Sequence, residues 1–96
     1  MRAEYDSEAD ALSIDLIDAS SWDDSISIDE TYCHLSVAQG VPANIELLSP
    51  TKSLSFLGEA ARRAGVDPDE VLAAARSALA APDRIVTLDF SPLAAK

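Results

Sequence analysis

The chain carries one histidine and one cysteine, and they are adjacent, Cys33 followed by His34. A thiolate and an imidazole that meet make an activated nucleophile. The residues around the pair alternate, however, with Cys33, Leu35 and Val37 on one side and Tyr32, His34 and Ser36 on the other. On a strand, successive side chains point to opposite faces, so the two groups cannot hydrogen-bond as a dyad. Cys33 reads as a small core residue and His34 as a solvated one. One histidine does not assemble a Ser-His-acid set, and three glycines do not make a phosphate-cradling loop. The expectation is no catalytic residue and no cofactor-binding residue.

Asp6, Glu8 and Asp10 form an acid-x-acid-x-acid string that starts like a calcium loop. Such a loop needs Gly at its sixth position and a bidentate Glu at its twelfth. Here those positions hold Ala11 and Ile17. The three acids are therefore expected to cap and solvate a turn, and no metal ligand is assigned. Trp22 stands in an acidic, Ser-rich stretch. It reads equally as an interface anchor, because Trp is enriched at binding hot spots, or as a lid on a small core.

Residues 59–76 have the Ala, Gly and Val spacing of a helix-turn-helix, turning at Gly65-Val66-Asp67. The would-be recognition helix begins Pro68-Asp69-Glu70-Val71-Leu72-Ala73. Base edges are read by Arg, Lys, Asn or Gln, and acids in that place repel phosphate. An ordinary packed helical hairpin is the better reading.

The elements that would position these residues fit one domain, since 96 residues suit a single core. Aromatics are only 5% of the chain, so the interior must be filled by Leu, Ile, Val and Ala. The net charge of −10 is uneven: residues 1–49 hold eleven acids and one base, Arg2, whereas six bases balance six acids from residue 50 onward. A negative field of this kind repels nucleic acid and anionic lipid, and it suits a basic protein partner or solubility. A lone cysteine, no basic-then-apolar leader and no long apolar run point to a cytoplasmic chain with no membrane partner.

Period-two alternation predicts strands over residues 2–5, 11–17 (Leu12, Ile14, Leu16 inward), around Ile26 and Ile28, over 33–37, and over 41–47 with Val41, Ala43, Ile45 and Leu47 on one side. Close spacing favours an antiparallel meander. Pro42 cannot donate to a ladder, so its strand is expected at an edge or locally unpaired. From Pro50 the period becomes helical, with Leu54, Leu57, Ala61 and Ala64 in one stripe and Gly65 as a stop. Asp67 as N-cap, Pro68 after it, and Val71, Leu72, Ala75, Ala78 and Leu79 define a second helix, ended by Pro82. Residues 84–90 alternate again and predict a last strand. The fold class is α+β, an antiparallel β-meander packed on a helical hairpin with a C-terminal strand. The chain divides into an acidic meander (1–49), two helices (50–81) and a final strand and tail (82–96).

The string Tyr5-Asp6-Ser7-Glu8-Ala9-Asp10-Ala11-Leu12, with Asn44-Ile45-Glu46-Leu47-Leu48-Ser49-Pro50 further on, resembles the bacterial Domain of Unknown Function family 2283. The resemblance covers the first half of the chain and implies a small β-meander followed by helix. It implies no activity. The chain departs from the family at Ser7, where Pro is usual, at Ser13, where an aromatic is usual, and at Asn44, where Gly is usual.

The function expected is a non-enzymatic, small, acidic accessory or protein-interaction domain, antitoxin-like towards a basic partner. The competing class is a DNA-binding transcriptional regulator using residues 59–76, and a hydrolase comes third. A homodimer is expected as well, because a meander leaves two edges that template further pairing.

Overall fold

The computed structural model describes residues 1–88. Six strands, β1 (Arg2–Asp6), β2 (Ala11–Asp15), β3 (Asp24–Asp29), β4 (Cys33–Ala38), β5 (Val41–Leu48) and β6 (Ile85–Thr87), form one sheet. Every strand pair is antiparallel. Helices α1 (Pro50–Ser53), α2 (Phe56–Ala64) and α3 (Pro68–Ala80) lie between β5 and β6. The architecture is α+β, as the alternation and the change of period predict. Asp89 and Phe90, at the end of the expected last strand, lie outside the described residues. No described helix is long and apolar enough to cross a membrane.

The alternation sorts the sheet into an apolar and a polar face. Leu12 opposes Leu47, which opposes Cys33, and Ile14 opposes Ile45, which opposes Leu35. These six side chains are all essentially inaccessible to solvent. They share one core with Leu57, Ala60 and Ala61 of α2 and with Val71, Ala74, Ala75 and Ala78 of α3. The alanines bring the helices close to the sheet, and full burial of each large aliphatic contributes about 1.5–3 kcal/mol. On the opposite face the register aligns Ser25, Ser36, Asn44, Asp15, Arg2 and Thr87 across all six strands.

Local chemistry sets the helix ends. Asp67 accepts from the Asp69 backbone at 2.9 Å, and Gly65 adopts a left-handed φ of 75° to close α2. The single helix expected from Pro50 is broken into α1 and α2. Ser53, fully buried, directs its hydroxyl at the carbonyls of Leu48 (2.7 Å) and Ser49 (3.0 Å), drawing the chain out of the regular ladder.

The strand order is β3-β4-β5-β2-β1-β6. β5, the strand containing Pro42, is therefore central and not at an edge. Pro42 is accommodated where the β4–β5 register shifts between Ser36 and Val37, past the last β2 pair, Asp15 with Asn44. The ladder is shifted there and not lost: Pro42 pairs with Val37 of β4, and only on the β2 side does the strand pairing stop short of it. The order also makes the β2–β3 connection long-range. With strands about 4.8 Å apart, residues 16–23 must travel about 14 Å around the sheet end, past β5 and β4.

Candidate functional site

That crossover builds a groove at the end of the sheet. The loop is tied at its start by the amides of Leu16 and Ile17, which donate to the Ala43 carbonyl at 2.8 and 3.4 Å. At its end the Asp23 amide donates to the Val37 carbonyl at 3.0 Å, and the Asp23 carboxylate accepts from the Gln39 amide at 3.1 Å. Between these ties the chain arches over the β4–β5 turn. A groove of about 490 Å³ opens beneath it, lined by residues 17–23 with Ala38, Gln39 and Val41.

Large exposed apolar side chains are few in the described residues: Ile17, Trp22 and Val41, at 39%, 47% and 48% exposure, and Ile85. Three of the four converge on this groove. Of the two readings of Trp22, the core lid is excluded by its exposure. Ile17 and Val41 are additions that the alternation missed. Val41 is in phase with the core by simple alternation, but the β4–β5 register shift pairs it with Ala38, out of phase with the core-facing Val37, and leaves it exposed. Ile17 carried a signal, since Leu16 and Ile17 are consecutive apolar residues and a strand can bury only one of them.

Carboxylates rim the groove. Arg2, the one base of the acidic half, places its guanidinium 3.4 Å from Asp15 and 3.4 Å from Asp18. Asp15 is held from the other side by Asn44, whose amide donates at 2.8 Å to both Asp15 and Ser13. Asn44 is only 3% exposed, and both of its donors are satisfied.

The other candidate residues have structural partners. Cys33 is fully buried on the helix side, while His34 lies on the polar side with Nε2 3.1 Å from the Glu30 carbonyl. Burial, with Asp29 and Glu59 nearby, pushes the Cys33 thiol up to about 11. The nucleophilic thiolate is thus disfavoured at neutral pH. Asp6 accepts from the amides of Glu8 and Ala9, and Asp10 accepts from the Tyr5 hydroxyl at 2.7 Å, which raises the Tyr5 pKa. Asp6 thus caps the β1–β2 turn and Asp10 braces it against Tyr5, while Glu8 takes part through its amide. Its neighbour Ser7 donates through both its amide (2.9 Å) and its hydroxyl (2.6 Å) to Asp83, holding that carboxyl below the usual range. Among the described residues no group of three or more His, Cys, Asp or Glu side chains is placed to hold a metal ion.

Residues 59–76 form a helical hairpin laid flat on the sheet. α3 buries Val71, Ala74, Ala75 and Ala78 and turns Asp69, Ala73, Arg76 and Ala80 outward. Only one of those four outward side chains is basic. Comparison of the chain with protein-family models, with curated proteins and with solved structures finds no match in any of the three.

Proposed function

We propose that the protein is a non-enzymatic interaction domain that docks a basic partner protein at the Trp22 groove, an antitoxin-like role. The observation that carries this reading is the convergence of Ile17, Trp22 and Val41 on one concavity whose lining also includes Asp18 and Asp23. Exposed apolar patches bordered by polar groups mark interaction sites, and central aromatic anchors dominate their energetics. The net charge of −10, concentrated in the half that forms the groove, steers a cationic partner towards it. The outward face of α3, with its acidic start, supports this reading over a DNA-binding one. The family proposed is Domain of Unknown Function family 2283, on the likeness of the Tyr5 to Leu12 string alone, and it adds no activity.

Trp22 is the only tryptophan, so its emission reports the groove directly. A short peptide alternating leucine with arginine should shift that emission saturably, and more weakly as salt rises. The leucine–glutamate counterpart should leave it unchanged. Equal responses to both peptides, or none to either, would remove the basis for a basic partner.

Self-association is part of the same proposal. β6 is an edge strand whose Ile85 is 65% exposed. Light scattering should report two copies, and Ile85→Lys should yield one, because an edge lysine blocks further pairing. A wild-type monomer at high concentration would end that part of the reading.

A further inference from the structure

We infer that the groove selects a guanidinium, and that in the free chain Arg2 occupies the seat a partner's arginine takes. This rests on the groove being a docking site for a basic protein. Asp18 lines the Trp22 groove, while Arg2 and Asp15 line a smaller depression of about 100 Å³ on the polar face of the sheet. The Arg2 guanidinium, 3.4 Å from Asp18, therefore reaches from the depression to a carboxylate of the groove.

The seat is built before any partner arrives. Asn44, 97% buried by its 3% exposure, fixes one oxygen of Asp15 at 2.8 Å and leaves the other directed at Arg2. The backbone ties of Leu16 and Ile17 to Ala43 fix the position from which Asp18 projects. Two carboxylates on separate supports match a planar fork of donors better than a single ammonium point charge.

Arg2 fills this seat poorly. One of its terminal nitrogens serves both carboxylates, each at 3.4 Å, and the Arg2 and Asp18 side chains are 47% and 97% exposed. Ion pairs of this kind are weak and readily exchanged. An arginine entering through the groove presents separate nitrogens to Asp15 and Asp18. It also lays its stem on Ile17 and Val41 and its charge against the face of Trp22. Arg2 is thus an internal competitor that sets a threshold for docking.

The test is a titration followed by Trp22 emission, with the leucine–arginine peptide and its leucine–lysine analogue. Arg2→Gln should tighten the arginine peptide about two- to fivefold, the span of a weak surface ion pair. Arg84→Gln makes the same change of net charge at the opposite end of β1, and it should leave the affinity at the wild-type value. Asp18→Asn should weaken the arginine peptide and erase its advantage over the lysine one. If Arg2→Gln and Arg84→Gln behave alike, or if both peptides bind wild type equally, the seat is overturned while the groove stands. If no variant responds to either peptide, the docking reading falls and the seat with it.

Discussion

The two ends of the sheet are both acidic, and they use their acids in opposite ways. At the β1–β2 turn, Asp6 is engaged by two backbone amides, Asp10 by Tyr5, and Asp83 by the amide and hydroxyl of Ser7. Beneath this end the row of Tyr5, Leu12, Leu47 and Cys33 runs into the covered core. At the other end Asp23 is used by the backbone, but Asp18 meets only the long contact from Arg2, and Ile17, Trp22 and Val41 face solvent. Acid content therefore does not distinguish a scaffold from a docking surface. What distinguishes them is whether the carboxylates are engaged by their own chain and whether the neighbouring apolar groups are covered.

This contrast can be broken most forcefully by Leu12→Ala at the covered end. Leu12 is fully buried, so the substitution should cost about 2–5 kcal/mol in a denaturant titration, through lost transfer energy and a cavity. A loss below about 1 kcal/mol would mean that this end is not the packed one. Cys33, in the same row, supplies a second test. Its thiol, raised to about 11 by burial, should label at pH near 8 on the order of a hundredfold more slowly in native protein than in denaturant. Rapid native labelling would show the covered end opening freely.

The Asp83 contact gives a smaller and pH-dependent effect. Its folded pKa is lowered by the Ser7 hydrogen bonds, so its stabilisation is present above the ordinary carboxylate value and is lost as pH falls through the lowered one. Asp83→Asn should flatten the dependence of Tm on pH in the acid range, from the ordinary carboxylate value downward. An unchanged profile would mean that Ser7 gains nothing from the charged form. The smallest expected change in stability is that of Trp22→Ala, within about 0.5 kcal/mol of wild type, because a half-exposed side chain leaves no cavity. A cost approaching that of Leu12→Ala would place Trp22 in the core and dissolve the contrast.

The covered end was largely legible in the sequence. Alternation at Leu12 and Ile14, at Cys33 and Leu35, and at Ile45 and Leu47 identifies the inward faces, and Asp67-Pro68 and Gly65 mark helix ends through local chemistry alone. The turn-capping role of Asp6 and Asp10 follows from the same short-range logic. The groove was not legible, because its existence depends on β2 pairing with β5 and not with β3. That choice is made between strands of the same apolar pattern, and it alone sends residues 16–23 around the sheet end. The central place of Pro42 is a consequence of that one pairing, whereas the exposure of Val41 follows from the β4–β5 register shift, which leaves the apolar alternation of the sequence intact. The break between α1 and α2 was hidden for a different reason, since a buried serine bonding back to the preceding carbonyls leaves the helical apolar period intact.

The central claim is that the groove end is the docking surface, and backbone chemical-shift mapping tests it most directly. On titrating the leucine–arginine peptide into isotopically labelled protein, the account predicts perturbations concentrated at residues 15–23, at Ala38 to Val41 and at Arg2, with the turn at residues 6–10 and the outward face of α3 unmoved. Perturbations centred on α3 or on the turn, with residues 17–23 silent, would contradict it.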